Sequence, residues 1–234
     1  RLGLLYQPTP LTSFHFSAAT SFNTSGDAYS LSAANVDIPP EQAINLELGA
    51  KLDSEDGKLS ARIAAFRSTK LHERNTDPLV NLVTLSGKRH VAGIDMDIAG
   101  RITPAWEVYF SYMWLPVANI DIGAAGSEGQ GTRPSLTPRH AGTVWSTYQV
   151  DPRLRVGAGL NMRASQTPNR NPGWSAPGYV TGDLMAEYVV MHDRLTLKLN
   201  LSNVTNKLYA DSLYTGHYIP GLGRLLQLTA SWKY

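Results

Sequence analysis

Cysteine is absent from the 234 residues. That removes disulfides and thiolate metal ligands, and it suits an oxidising compartment where a stray thiol is a liability. Long apolar runs are absent too. No stretch of about eighteen apolar residues occurs, so the chain has no membrane-spanning helix. Charge is sparse: Asp, Glu, Lys and Arg make up 17% of the chain, against about a quarter in ordinary soluble domains. The net charge of +2 gives no electrostatic footprint for nucleic acid. The six histidines fall in no His-x-His or His-Glu-x-x-His spacing, so no metal site is expected. No Gly-x-Ser-x-Gly elbow is present, and the glycine-rich run from Gly123 to Gly131 lacks the Gly-Lys-Ser/Thr ending of a phosphate loop. An enzyme is therefore not expected, nor a bound cofactor. No leader-like segment opens the chain, so the expectation is a mature form or a piece of a longer protein.

What is present is strict two-residue alternation. Leu195, Leu197, Leu199 and Leu201 face away from Thr196, Lys198, Asn200 and Ser202. Leu226, Leu228, Ala230, Trp232 and Tyr234 face away from Gln227, Thr229, Ser231 and Lys233. A period of two is a strand with one apolar and one wet face. The same pattern runs through Leu2–Tyr6, Phe14–Phe22, Ile44–Leu52, Leu59–Ala65, Ile94–Ile98, Trp106–Trp114, Leu154–Met162 and Leu184–Tyr188. Val144–Val150 is also a strand, but Trp145 and Tyr148 fall on opposite sides and leave its face open. The two carboxylates Asp95 and Asp97 share one strand face and are read as lumen lining. Eleven strands result, joined alternately by short turns, such as Asp56-Gly57 and His192-Asp193, and long polar loops. The long loops are expected at 23–42, 72–86, 118–139, 164–178 and 203–223.

Turn length sorts the aromatics. Tyr6, Phe14, Trp106, Tyr148, Tyr188 and Tyr234 lie beside short turns; Phe22, Trp114 and Tyr179 lie beside long loops. Two aromatic girdles with short turns at one end and long loops at the other are the signature of an outer-membrane barrel. The expected fold is all-β: a transmembrane antiparallel up-and-down β-barrel. Single-chain bacterial barrels have even strand numbers, so eleven strands suggest the C-terminal half of a barrel of about twenty-two.

Four segments resemble the barrel of TonB-dependent siderophore receptors. They are Glu47-Leu48-Gly49-Ala50-Lys51, Gly87-Lys88 through Gly93-Ile94-Asp95, Asn203-Val204-Thr205-Asn206-Lys207-Leu208-Tyr209, and Pro220-Gly221-Leu222-Gly223-Arg224. Asp95 stands where the family usually has Glu. The catecholate branch looks most similar. The resemblance implies that residues 1–234 are the C-terminal part of the receptor barrel, without the plug domain. It implies an outer-membrane protein that takes up ferric siderophores, with iron only as ligand cargo. It also implies coupling to the TonB–ExbB–ExbD complex through a region ahead of Arg1. A passive porin and an outer-membrane hydrolase are the alternative functions.

Loops three to five and their flanks hold Arg133, Arg139, Arg163, Arg170, Lys207 and Arg224 with Trp174, Tyr209, Tyr214, His217 and Tyr218. An anionic, ring-bearing ferric chelate would be drawn by the cations and stacked by the rings. Arg133, Arg139, Arg170, Trp174, Tyr214, His217 and Tyr218 are the expected ligand-binding residues. Trp232 and the terminal Tyr234 are the expected assembly signal, an alternating apolar end that an insertion machine could read. Deleting Tyr234 from the full-length protein should therefore lower its amount in the outer membrane. Ligand binding per assembled molecule should stay unchanged, and equal amounts by immunoblot would remove the role.

Overall fold

A computed structural model of the chain describes residues 1–23, 40–76, 83–123, 129–168, 171, 173–191 and 194–233, with backbone only at 74–76 and 83–86. Ten strands run in order from the start: β1 (Leu2–Thr9), β2 (Thr12–Asn23), β3 (Glu41–Asp53), β4 (Leu59–Thr76), β5 (Val83–Thr103), β6 (Trp106–Ile122), β7 (His140–Gln149), β8 (Leu154–Arg163), β9 (Tyr179–Met191) and β10 (Leu195–Ser202). Two short strands, β11 (Ala210–Leu213) and β12 (Tyr218–Pro220), pair with each other inside the last connection. β13 (Leu225–Trp232) returns beside β10. The large sheet has eleven strands in the order β1 to β10 and then β13, each antiparallel to its sequence neighbour. Among the described residues, β1 and β13 do not pair with each other.

Cross-strand partners share a face, so the register sorts the side chains. One row crosses the sheet as Tyr6, Phe14, Ala50, Ile63, Met96 and Tyr112. At the other end Leu184, Leu201 and Leu226 align. This face stays bare: Leu48 is 61% exposed and Leu228 67%. An apolar area of that size facing water would be a liability, whereas facing lipid it is satisfied.

The opposite face carries ion pairs between neighbouring strands. His15 Nε2 meets Glu47 Oε1 at 2.7 Å, and Arg62 reaches Asp95 and Asp97 at 3.2 and 3.0 Å. Arg101 Nε donates to Glu107 at 2.7 Å, and the Arg155 guanidinium donates to both oxygens of Glu187 at 3.1 and 3.2 Å. This is the lumen wall. Glycine makes room where its groups are large: a Cβ at Gly49 would stand 2.4 Å from His15 Cε1.

The face of β7 is settled by its partners. Tyr148 pairs with Trp106 and Val156, so Tyr148, Ser146 and Val144 face lipid and Trp145 faces the lumen. Three expectations about the elements are corrected. The third loop was expected from Ala118, but β6 continues to Ile122. The second loop was expected over 72–86, but β4 and β5 continue to Thr76 and from Val83, through a bulge at His72 with φ of 55°. The fifth loop carries the β11–β12 hairpin. The tight turns satisfy themselves. In the one after β3, Asp56 accepts from Ser54 Oγ at 2.6 Å and Lys58 N at 3.1 Å, which holds its carboxyl down at about 2. The expected turn at His192-Asp193 lies outside the described residues.

Leu199 faces lipid beside Ala186 and Leu228, and Lys198 faces the lumen beside Glu187 and Thr229. In the full-length protein Leu199→Arg should cost roughly 2–4 kcal/mol of barrel stability, and Lys198→Leu far less. Urea unfolding in lipid vesicles measures both; equal costs would reverse the face assignment.

Candidate functional site at the loop end of the lumen

At the long-loop end the strands open onto three connections, here called loop three (123–139), loop four (164–178) and loop five (203–224). Loop three folds back on β6. Ile120, only 2% exposed, exchanges backbone bonds with Gly131 and Thr132 at 2.8 and 3.0 Å. Farther down, β6 bulges between Trp114 and Val117, where Pro116 has no N–H to give. Leu115 is freed from the ladder by this bulge. Its N–H donates to Arg139 O at 2.8 Å, and its carbonyl accepts from Arg133 Nη2.

Loop four is pinned by Pro168, which is fully buried, and by the paired backbones of Gln166 and Ala176. Leu136 N donates to Thr167 O at 3.0 Å and joins loops three and four. Asn171 Nδ2 donates to Thr215 O at 2.8 Å and joins loops four and five.

Loop five is closed at its base by Asn203, which is 3% exposed with φ of 47°. Its side chain donates to Lys207 O and Leu222 O and accepts from Lys207 N, each at 2.9 Å. Its backbone N–H donates to Asp183 Oδ1 at 2.7 Å. Asn206, also at positive φ, accepts Arg224 N at 2.9 Å. Gly221 lies flat under the Tyr209 ring, where a Cβ would overlap it at 1.9 Å. The two family-like segments around Asn203 and Gly221 are thus the two halves of one clamp.

Arg163 closes the lumen face of β8 beneath these loops. Its guanidinium lies 5.9 Å from the centre of the Tyr179 ring, and Nη1 donates to Asp211 O at 3.1 Å. Tyr209 packs on Tyr179 with ring centres 4.3 Å apart. Burial, with the nearby Asp211, pushes the Tyr209 phenol up. Arg163 lines three cavities: one of about 390 Å³ with Asn161, Thr181, Asp183, Tyr179, Tyr209 and Asp211, one of about 490 Å³ with Leu136, Gln166, Asp211, Ser212 and Tyr214, and one of about 530 Å³ with His140, Tyr179 and Lys207. A cation flanked by rings and hydrogen-bonding groups can hold an anionic ring.

The expected ligand residues separate into groups. Tyr214 and His217 stack at 4.6 Å and 9° across the hairpin, with Tyr218 beside them on β12; Tyr214 and Tyr218 are both about half exposed. Trp174 is exposed on loop four, and Arg139 is exposed at the end of loop three. Arg133 is different. It is half-buried against the β6 bulge, and its Nη1 has no partner among the described residues. Burial and the neighbouring Arg139 pull its pKa down. It fastens loop three to the wall. Arg170 and Tyr234 lie outside the described residues. Trp232 is exposed on the lipid face opposite Leu195. Tyr179, expected in the upper girdle, instead faces the lumen as the partner of Arg163. Arg163 stood among the loop cations by type alone; its odd position at the end of β8 already placed it inward.

The pattern of the family "TonB dependent receptor-like, beta-barrel" matches residues 1–204. The chain is 34% identical to a probable TonB-dependent receptor, BfrD, of Bordetella pertussis, over all of this chain and 33% of that protein. The crystal structure of the siderophore receptor PiuA from Acinetobacter baumannii superposes with a TM-score of 0.88 at 29% identity, over 99% of this chain and 35% of that one. The ferric-catecholate import receptor Fiu from Escherichia coli K12 superposes with a TM-score of 0.85 in its closed form and 0.75 in its open form, at 29% and 28% identity. Those comparisons cover 98% of this chain and 34% and 30% of Fiu. The chain spans about a third of the length of the relatives it matches.

Replacing Asn203 by Ala removes three hydrogen bonds and leaves a non-glycine residue at positive φ. In the full-length protein the change should loosen loop five by about 1–3 kcal/mol. Limited proteolysis of intact cells should then cut within 207–222 at least several-fold faster, with the barrel amount unchanged. An unaltered cleavage rate would contradict the clamp.

Proposed function

The chain belongs to the TonB-dependent receptor family, as part of its β-barrel, and from that premise we propose that the whole protein takes up ferric siderophores across the outer membrane. Its TonB dependence follows from the family, and the coupling region would lie outside this chain. The observation that carries the ligand class is Arg163, a lumen-facing cation set against Tyr179 and Tyr209 and lining the cavities under the loops. Charge attraction combined with ring contact suits an anionic chelate with aromatic arms. The relatives named as siderophore or ferric-catecholate receptors support the same class.

Within this reading the mouth residues divide by role. Arg139, Trp174, Tyr214, His217 and Tyr218 meet the ligand first, Arg170 extends that set, and Arg163 holds it at the lumen entrance. Arg133 acts through loop three, because its guanidinium is committed to Leu115. A porin reading has no comparable support, since the relatives are named as TonB-dependent, siderophore or ferric-catecholate receptors.

The test uses iron-starved cells expressing the full-length protein and a radio-iron tris-catecholate chelate. Wild type should accumulate iron only when energised through TonB. Tyr214→Ala combined with Tyr218→Ala should weaken binding about tenfold, the scale of losing stacked rings from a partly desolvated site. Arg139→Ala should cost about 1 kcal/mol, most of it gone at high salt because the group is exposed. Wild-type cells that take up no ferric chelate would refute the reading.

A further inference from the structure

The lumen face of β8 reads Arg155, Gly157, Gly159, Asn161, Arg163. It therefore carries an arginine at each end. The upper one belongs to the mouth already described. The lower one belongs to a separate cavity, of about 690 Å³, at the short-turn end of the lumen.

That cavity is lined by Lys58, Arg101, Glu107, Tyr109, Trp145, Thr147, Arg155 and Lys198, among others. Its charges are unbalanced. Arg101 is met by Glu107 at 2.7 Å, Arg155 by Glu187, and Lys58 by Asp56 at 3.3 Å. Lys198 lies next to Glu187 in the register, yet Glu187 is engaged by Arg155, and Lys198 has no ion pair or hydrogen bond among the described residues. Arg155 keeps its Nε buried without a partner among the same residues. The cavity thus offers one surplus positive charge, that of Lys198, while the Arg155 Nε is enclosed in the wall behind it.

It also offers a ring. Trp145 lies along the backbone of β8. A Cβ at Gly159 would stand 2.3 Å from its Cε3, and one at Gly157 would stand 3.0 Å from its Cζ2. The two glycines let the indole lie flat on the wall, with its other side lining the cavity beside Tyr109. Cation and flat ring repeat the chemistry of the mouth at the opposite end of the same strand, here without residues of the long loops.

We propose that this cavity is a second station for an anionic, ring-bearing ligand, visited on the way out of the lumen. The proposal rests on the uptake reading above. Lys198 supplies the charge and Trp145 the stacking face. An acidic segment elsewhere in the full-length protein is the competing occupant, and the test separates the two.

The experiment compares wild type, Lys198→Gln, Lys198→Arg and Trp145→Phe in the full-length receptor. Two properties are read on cells with a radio-iron tris-catecholate chelate: equilibrium binding without energy, and initial uptake rate with it. Lys198→Gln should bind as wild type but take up the chelate about fivefold more slowly, the scale of losing one partly exposed charge contact. Lys198→Arg should recover most of the rate. In purified receptor, 2,3-dihydroxybenzoate should quench tryptophan fluorescence in wild type and markedly less in Trp145→Phe. Uptake by Lys198→Gln at the wild-type rate, or quenching equal in both proteins, would overturn the station while leaving the receptor reading intact. A Lys198→Gln protein that loses uptake and also becomes protease-sensitive inside the lumen would assign the cavity to a segment of the protein and overturn the station too. Wild-type cells that neither bind nor take up the chelate would sink the receptor reading, and the quenching result would still decide the station.

Discussion

A strand in hydrocarbon has no water to receive its N–H and C=O groups, so each must find another strand. The rest of this structure follows from that requirement. It joins eleven strands into one continuous ladder, in which β13 reaches back to β10 and the other strands pair with their sequence neighbours. It also fixes the register, because a slip by one residue would turn Leu199 inward and Lys198 into lipid. Where the ladder is broken, a substitute partner stands ready. The bulge that frees Leu115 is met by Arg139 O and by Arg133.

That constraint explains what alternation revealed and what it hid. A wall with lipid outside and polar groups inside writes itself as period two, so the faces of β2, β3, β8 and β10 could be read directly. β7 could not, because it carries rings on both sides: Tyr148 at the lipid girdle and Trp145 on the lumen glycines. Period two also fades above the bilayer, where both faces meet water. The stretch 72–86 therefore reads as loop, although β4 continues to Thr76 and β5 begins at Val83. At the mouth, residue type suggested cations and rings but not their tasks. The binding of Arg133 to a bulge is a tertiary fact with no local signature. Arg163 differs only by its place in the alternation.

The mouth shows how much of an apparent binding surface is structural. Loop three is tied to the wall by Arg133, to β6 by Ile120, and to loop four by Leu136. Loop four is tied to loop five through Asn171. The aromatic pairs at the hairpin tip and at the lumen entrance stand outside these ties. They differ in character: Tyr214 and His217 stack exposed, whereas Tyr179 and Tyr209 stack beside Arg163.

The Asn203 clamp also bears on assembly. Every pairing in the large sheet except the last joins strands that follow each other directly in the chain. β13 must reach β10 across the whole of loop five, and closing a flexible loop costs entropy that grows with its length. Asn203 bonded to Leu222 O, and Asn206 bonded to Arg224 N, bring the two ends of that connection together. The hairpin of β11 and β12 takes up the chain between them. If the clamp forms early, β13 arrives at its partner as though across a short turn, and the last strand can be added at the pace of a local hairpin.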